Sequence, residues 1–237
     1  MKLVALTGAG ISAESGLATF RDPDGVWAKY DLSTLATPEA FEADPVLVHG
    51  FYNERRAQLR DVEPNAAHTA LVRLEQALGS DLLLVTQNVD DLHDRAGSKN
   101  LIHMHGELRS AWCRACDSRQ PWDDDLSTET ACPECGTLGH MRPDIVWFGE
   151  MPYRMDDILR ALDDCDLFVA IGTSGAVYPA AGFVDIASRA GAETLELNLQ
   201  RSEGTTLFDD YRHGPATLVV PEFVNEILRR REAARRP

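Results

Sequence analysis

Four cysteines in the middle of the chain have the spacing of a metal site. Two Cys-x-x-Cys pairs, Cys113/Cys116 and Cys132/Cys135, are separated by 15 residues. Each pair forms a turn that directs two sulfurs at one point, and two such turns complete a tetrahedron around Zn²⁺. Four protein ligands leave no open position on the metal, so we expect one structural zinc. Disulfides or redox thiols are the alternative, which a cytosolic chain disfavours.

A glycine-rich segment near the N-terminus could bind phosphate. The apolar run at residues 3–6 leads into Gly8-x-Gly10, with Ser12 as a residue that could start a helix. Glycines let the backbone approach a pyrophosphate, and a following helix N-terminus would present free N–H groups to it. A simple glycine turn is the alternative. A polar loop at residues 18–27 replaces the acidic strand end of a classical dinucleotide fold, which disfavours a hydride-transfer enzyme.

Two further polar segments carry groups that could do chemistry. Residues 86–93 follow an aliphatic run and contain Asn88 and Asp90, which could contact a ligand at a strand end or cap a helix. His103 and His105 are two residues apart in an expected strand and would then share one face. They could be metal ligands, a general base with a structural neighbour, or histidines satisfied in the core.

Apolar periodicity predicts the elements that must position these groups. Strand-like runs alternate with helical patterns, which predicts an α/β fold with a mostly parallel sheet. Ligands in such sheets bind outside the strand carboxyl ends, so the segments after the strands should converge on one crevice. The predicted strands are residues 3–6, 82–85, 145–147, 167–171, 194–197 and 217–220. The predicted helices are residues 66–78, 155–162, 183–190 and 223–231, with Pro221 just before the last.

Composition restricts the class of function. The 237 residues suit one large domain, or one domain with a small insert. A net charge of −15 disfavours direct nucleic-acid binding, including binding by a zinc ribbon. No apolar run approaches the roughly 18 residues that span a bilayer. The first strand begins directly after Lys2, so we expect no leader, no membrane association and a cytoplasmic location. Nothing in the sequence demands an oligomer, and we expect a monomer.

Taken together, the motifs resemble the sirtuin family of NAD-dependent protein-lysine deacylases, in its bacterial deacetylase/desuccinylase branch. The resemblance covers almost the whole chain. The matching pieces are residues 8–16, 20–21, 87–90, 103–106, the four cysteines, residues 143–149, residues 172–174 and Asn198.

The resemblance implies a Rossmann-like parallel sheet domain with a small zinc-binding domain inserted. The NAD-binding domain would comprise residues 1–24, 65–107 and 142–237, approximately. The small domain would come from inserts at about residues 25–64 and 108–141, the second of which holds the zinc module.

The family's chemistry implies NAD as cofactor and acylated-lysine proteins as substrates, with nicotinamide, O-acyl-ADP-ribose and free lysine as products. His105 would be the general base and His103 a structural neighbour. The substrate peptide would add as a strand beside Val146, Trp147 and Phe148. The residues implied for NAD are Gly8, Ala9, Gly10, Ile11, Ser12, Phe20, Arg21, Trp27, Gln87, Asn88, Asp90, Gly172, Thr173, Ser174, Asn198 and Ala216.

The same branch implies a preference for acidic acyl groups. Tyr52 and Arg55 are spaced i, i+3 on an expected helix and would share one face. In the resembled branch, this pair reads the distal carboxylate of succinyl- or malonyl-lysine, and Ala36 leaves room for the longer chain. Acetyl-lysine is an expected substrate too. Without the resemblance, Arg55 is interpreted as an arginine on the solvated side of a helix. Mono-ADP-ribosyl transfer to protein and a non-catalytic NAD-sensing module are the alternative functions.

Overall fold

Two β-sheets and the helices around them make up the described part of the molecule. The computed structural model describes residues 1–19 and 34–234, so Phe20, Arg21 and Trp27 lie outside the described residues. The described strands are β1 Leu3–Thr7, β2 Leu82–Thr86, β3 Leu101–His103, β4 Gly106–Cys113, β5 Arg119–Pro121, β6 Met141–Ile145, β7 Leu167–Ile171, β8 Glu193–Asn198 and β9 Asp210–His213. The described helices are α1 Pro38–Ala43, α2 Pro45–Gln58, α3 Ala66–Leu78, α4 Leu92–Ala96, α5 Met155–Asp164, α6 Phe183–Ala190 and α7 Ala216–Ala234.

The larger sheet is parallel throughout. Its described strands run in the order β3-β2-β1-β7-β8-β9, and every neighbouring pair is parallel. This is the Rossmann order, in which the chain reverses its direction of travel across the sheet between β1 and β7. Ligands bind at that switch point, outside the carboxyl ends of the two strands. The predicted α/β fold with a Rossmann-like sheet is confirmed.

Helices cover both faces of this sheet. Successive side chains of a strand point to opposite faces, and β1 divides accordingly. Leu3 and Ala5 pack in one core cluster with residues of α3 and α7. Val4 and Leu6 pack in another cluster with residues of α5 and α6. Strands buried on both faces need near-continuous apolar runs, which is why β1, β2 and β7 were recognisable from the sequence.

The smaller sheet is antiparallel and carries the cysteine region. Its order is β5-β4-β6, and Cys113 at the end of β4 pairs in register with Met141 of β6. Of the strand predicted at residues 145–147, only Ile145 lies in a strand, and that strand belongs to this antiparallel sheet and not to the parallel one. The strand ends at Ile145, and residues 147–150 turn, with the Glu150 amide donating to the Trp147 carbonyl at 3.0 Å. The division of the chain into two domains stays a prediction.

The C-terminal part differs from the sequence prediction as well. Residues 217–220 were predicted as a strand but form the start of α7, with Pro221 inside that helix. Their β-branched residues favour a strand locally, yet Val219 and Val220 are buried against the sheet as part of the helix. One of the two edge strands of the described sheet is β9, a polar segment that apolar patterning could not reveal. None of the described helices combines the length and apolar character that crossing a membrane would require.

Candidate active site

The loops that follow β1 and β7 pack against each other through their backbones. The Gly8 amide donates to the Ile171 carbonyl at 3.0 Å, and the Gly10 amide donates to the Gly172 carbonyl at 2.9 Å. A Cβ on Gly10 would lie 2.7 Å from the Gly172 Cα. A Cβ on Gly172, where φ is +62°, would lie 2.5 Å from the Ile11 nitrogen. The glycines therefore allow the two loops to meet and leave backbone, without side chains, at the switch point.

Two short 3-10 turns, Ala9–Ile11 and Ala13–Ser15, take the place of the α-helix expected after the glycines. Gly16 ends the second turn in the left-handed conformation, with φ +100°. The Ser12 side chain makes no capping hydrogen bond and points its hydroxyl at Asp90 instead. Ser12 does precede a helical turn, as expected, but the turn is a single 3-10 turn and the Ser12 side chain does not cap it.

Ser12, Asn88 and Asp90 form a buried polar cluster beside these loops. The Ser12 hydroxyl donates to Asp90 Oδ2 at 2.9 Å. Asn88 Nδ2 lies 3.2 Å from the Gly8 carbonyl oxygen and 3.2 Å from Ser12 Oγ. Burial raises the pKa of Asp90, although hydrogen bonds from the Leu92 amide and Ser12 act in the opposite direction. Asp90 Oδ1 accepts from the Leu92 amide at 3.1 Å, so Asp90 also holds the start of α4.

The sequence-based prediction did not include a chain of hydrogen bonds that supports Asn88 from the strand ends. Thr86 Oγ1 accepts from the main-chain amide of Asn88 at 3.1 Å and from the Thr7 hydroxyl at 2.9 Å. Thr7 Oγ1 in turn lies 3.0 Å from Nε2 of His93. All three supporting side chains are buried. The available signal was that Thr7 and Thr86 end adjacent parallel strands, where they pair in register.

The two histidines of the His-x-His motif have different partners. They do not share a strand face as predicted, because β3 ends at His103 and His105 lies in the following turn. Nδ1 of His105 lies 3.1 Å from the Gln87 carbonyl oxygen. A carbonyl can only accept, so Nδ1 carries the proton and Nε2 keeps a lone pair. Burial lowers the pKa of His105, although the Gln87 carbonyl acts in the opposite direction.

His103 is held by acidic neighbours instead. Its Nε2 lies 2.9 Å from Asp94 Oδ2 and 4.0 Å from Glu107 Oε2. Burial favours the neutral ring, but the hydrogen bond to Asp94 and the nearby carboxylates outweigh it and raise the pKa of His103. An imidazole paired in this way is suited to holding α4 against β3.

Asn198 joins the loops that follow β7 and β8. Its Nδ2 donates to the Thr173 carbonyl at 2.7 Å, and its Oδ1 accepts from the Leu199 amide at 3.0 Å. Ser174 lies in the same loop as Thr173, and its hydroxyl oxygen accepts from the Ala176 amide at 3.2 Å. The Asn198 side chain thus fixes the shape of the crevice edge.

Ala216 is the first residue of α7, and the next residue, Thr217, contacts Glu14 of the second 3-10 turn. The Glu14 carboxylate accepts from the Thr217 amide at 2.9 Å and from the Thr217 hydroxyl at 2.7 Å. A carboxylate at a helix start satisfies free N–H groups and suits the helix dipole. Glu14 therefore anchors α7 to the segment after β1.

The predicted acyl-reading pair lies on α2. Tyr52 is buried, and its oxygen accepts from the Trp147 indole Nε1–H at 2.9 Å. Burial raises the pKa of Tyr52 to about 12, so the phenol keeps its proton. Arg55 is half-buried on this helix, and burial lowers its pKa. The adjacent Arg56 has a structural role, because its Nε donates to the Leu108 carbonyl at 2.6 Å.

A series of hydrogen bonds to main-chain carbonyls runs from the glycine loops to the residues that pack against α2. Beyond the contacts of Gly8 and Gln87, the Val146 amide donates to the His105 carbonyl at 2.9 Å. The Phe148 amide donates to the Ala36 carbonyl at 2.9 Å, and Ala36 packs in the same core cluster as Tyr52 and Trp147. Among the described residues, these bonds connect the glycine loops, His105 and the segment beside Tyr52 into one continuous region.

The four cysteine sulfurs are arranged as a metal site. All four lie within 4.8 Å of one another. Sγ of Cys113 lies 3.8 Å from Sγ of Cys135, and Sγ of Cys116 lies 3.7 Å from Sγ of Cys132. A tetrahedron with Zn–S bonds of about 2.3 Å has edges of about 3.8 Å, so the donor set fits Zn²⁺. Cys165 is buried apart from this group, as expected for a core thiol.

Comparison with known proteins decides the family. The model of the Sir2 family matches residues 8–179, well over half of the chain. The chain belongs to the Sir2 family. This confirms the resemblance to sirtuins that the motifs indicated.

Relatives of similar length carry one activity name. The NAD-dependent protein deacylase of Bdellovibrio bacteriovorus is 55% identical over 228 residues, which are 95% of this chain and 96% of that protein. The NAD-dependent protein deacylase of Caulobacter vibrioides is 54% identical over 233 residues, which are 97% of this chain and 98% of that protein.

Solved Sir2 structures share the fold over nearly the whole chain. A Sir2 homologue in complex with NAD superposes with a TM-score of 0.87 at 40% identity, covering 96% of this chain and 90% of that one. A Sir2 structure with a p53 peptide and NAD⁺ gives a TM-score of 0.78 at 29% identity, covering 98% and 94%.

Proposed function

We infer that this member of the Sir2 family is an NAD-dependent protein deacylase, and we propose that it removes succinyl and malonyl groups from lysine as well as acetyl groups. The deacylase inference rests on full-length relatives that carry this name. The proposal for acidic acyl groups rests on one observation. Tyr52 and Arg55 lie one turn apart on α2, and Tyr52 packs with Ala36 and Trp147.

NAD, when bound, supplies the ribose carbon that receives the acyl oxygen and the nicotinamide that leaves. The glycine positions of the loops at the switch point expose main chain that suits its phosphates. Asn88 and Asp90 offer an amide and a carboxyl group, which together can donate to and accept from a carboxamide. Ser12 orients Asp90 through its 2.9 Å hydrogen bond. The residues proposed for the rest of the cofactor are Ala9, Ile11, Gln87, Gly172, Thr173, Ser174, Asn198 and Ala216.

His105 is the proposed general base. Its Nδ1 proton is committed to the Gln87 carbonyl, so Nε2 is the atom that can accept a proton from a ribose hydroxyl. Because burial lowers its pKa from the ordinary value of about 6.5, the ring is neutral at pH 7 and ready to accept. A base of this kind needs no metal, which agrees with a closed four-cysteine zinc site elsewhere.

Residues 146–149 are the proposed edge for the substrate peptide. The amides of Val146, Trp147 and Phe148 already donate to acceptors inside the protein. An added peptide strand would therefore pair with the carbonyl groups of this segment. Pairing of this kind depends little on side chains and would accept acyl-lysine in many sequence contexts.

A distal carboxylate on the acyl chain gives Arg55 its proposed role. A hydrogen bond to a charged group contributes about 1.5–3 kcal/mol. A succinyl or malonyl carboxylate beside the half-buried guanidinium can form such bonds, and the Tyr52 hydroxyl can donate one more. An acetyl group ends in a methyl and can form none of them.

The test compares peptides that differ only in the acyl group on one lysine. We expect Arg55→Met to lower kcat/KM for succinyl-lysine by about 10–100-fold, since every 1.4 kcal/mol is about tenfold. The value for acetyl-lysine should fall far less. Arg60→Met is the matched control, because Arg60 is exposed on the following turn. Equal losses with both peptides would refute the acyl-carboxylate role, and no NAD-dependent release from either peptide would refute the deacylase function.

Other properties stay predictions from the sequence. We propose that the substrates are acylated-lysine proteins and that the enzyme acts in the cytoplasm as a monomer. The net charge of −15 supports the proposal that it does not bind nucleic acid directly.

A further inference from the structure

Trp147 makes a side-chain contact that the peptide-edge proposal does not use. Its indole Nε1–H donates to the Tyr52 oxygen at 2.9 Å, and both side chains are buried, with exposures of 2% and 3%. The indole N–H can only donate, so the phenol oxygen is the acceptor in this bond. The Tyr52 proton then remains to be donated elsewhere. Within residues 1–19 and 34–234, no group accepts it.

The indole is held in place from two directions. The Arg142 guanidinium carbon lies 3.3 Å from the centre of the Trp147 ring, and Arg142 is itself buried. Glu150 accepts from Arg142 Nη1 at 2.7 Å and Nη2 at 3.0 Å. Glu150 also accepts from the Trp147 main-chain amide at 2.8 Å. One ion pair, between buried Arg142 and part-buried Glu150, thus fixes both the ring and the backbone of Trp147.

We propose that Trp147 is a positioning residue for acyl selectivity: by occupying the Tyr52 oxygen with its N–H, it directs the Tyr52 proton toward the distal carboxylate of the acyl chain. This inference rests on the proposed succinyl and malonyl activity. The high pKa of Tyr52 supports it, because a phenol that stays protonated can donate to a carboxylate. Without the indole donor, the hydroxyl can rotate and turn a lone pair toward the same carboxylate, which repels it.

The variant that tests the proposal is Trp147→Phe, which removes the N–H and keeps an aromatic ring beside Arg142. We expect the ratio of kcat/KM for succinyl-lysine to that for acetyl-lysine to fall by about fivefold. This equals the loss of about 1 kcal/mol, as for one ordinary hydrogen bond. Trp122→Phe is the matched control, since its indole N–H has no partner among the described residues. The ratio should stay unchanged in that variant.

A double variant separates positioning from a general structural effect. Tyr52→Phe removes the hydroxyl that Trp147 is proposed to direct. In the Tyr52→Phe background, adding Trp147→Phe should not lower the ratio further, because the two residues act through one contact. An additional fivefold fall would overturn the proposal and assign Trp147 to the peptide or the fold.

The two proposals fail in different ways. If Arg55→Met and Tyr52→Phe lower the ratio but Trp147→Phe does not, the role of Trp147 is overturned and the succinyl activity stands. If none of the three variants lowers the ratio, Arg55 and Tyr52 do not bind the acyl carboxylate, and the proposed activity on acidic acyl groups is wrong.

A measurement without substrate checks the contact directly. The chain has four tryptophans, so the indole ¹H–¹⁵N signals can be assigned by substitution. Tyr52→Phe should shift the Trp147 Nε1–H signal upfield, since it loses its acceptor, whereas Arg60→Met should not. An unshifted signal in Tyr52→Phe would overturn the proposal even if Trp147→Phe fails to fold.

Discussion

Replacing Thr86 by valine tests whether the hydrogen bonds behind Asn88 hold the cofactor side in place. Valine has nearly the shape of threonine but cannot accept a hydrogen bond, so the change removes one acceptor and leaves no cavity. The Thr86 oxygen accepts from the Asn88 amide and the Thr7 hydroxyl. Thr86 is fully buried, so bulk water does not reach this acceptor's position.

The magnitude follows from which donors are left without an acceptor. The Thr7 hydroxyl has a second acceptor, because His93 Nε2 lies 3.0 Å away and can accept after a change of tautomer. The main-chain amide of Asn88 is then left without an acceptor, at a cost of about 1–3 kcal/mol in the free energy of unfolding. A domain of this size loses about 2–4 °C in Tm per kcal/mol, so we expect a fall of about 2–12 °C. The KM for NAD should rise because Asn88 is no longer fixed beside Gly8.

The assay is a thermal unfolding scan with and without NAD, together with the KM for NAD at saturating acetyl peptide. Thr69→Val is the matched control, because Thr69 is exposed on α3 and surface changes usually stay within about 0.5 kcal/mol. Thr86→Ser restores the oxygen and should restore the KM. If Thr86→Val matched Thr69→Val in both Tm and KM, the chain through Thr7 and His93 would not support Asn88.

The remaining predictions concern the base and the metal. Because burial lowers the pKa of His105, kcat/KM should hold down to pH values below the ordinary histidine value of about 6.5 and fall only as the ring protonates. His105→Ala should lose most turnover at every pH while keeping its zinc and Tm, and near-normal activity would refute its role as the base. Cys116→Ser should lose the one equivalent of zinc seen by metal analysis and lower the Tm, because a structural zinc contributes folding free energy. A variant that kept both would refute four-cysteine ligation.

Local pattern predicted the parallel sheet well because its inner strands are buried on both faces. The runs that became β1 and β7 are apolar throughout and fit no solvent-facing element. The same reasoning failed at the edge. β9 is largely exposed and polar, so its sequence lacks the apolar pattern that identifies a buried strand. At residues 217–220, local β-propensity pointed to a strand, and burial against the sheet in helical geometry overrode it.

The candidate site was predictable in its parts but not in its connections. The Cys-x-x-Cys pairs carry their geometry in their spacing, and the sulfurs converge as expected. The two histidines show the limit of this approach. A spacing of two fixes a common face only while the strand continues, and β3 stops at His103. The bond from Asn88 to Gly8 spans 80 residues, which no local pattern reveals.

The two ends of the site are specified by different kinds of group. At the cofactor end, glycine backbones approach so closely that any Cβ on Gly10 or Gly172 would collide with main-chain atoms. Several hydrogen bonds that continue from there toward α2 end on main-chain carbonyls, those of Gln87, His105 and Ala36. At the acyl end, selectivity rests on side chains such as Arg55. Main-chain acceptors are present whatever side chain a residue carries, so substitutions on α2 can change the acyl group accepted while leaving the cofactor end as it is.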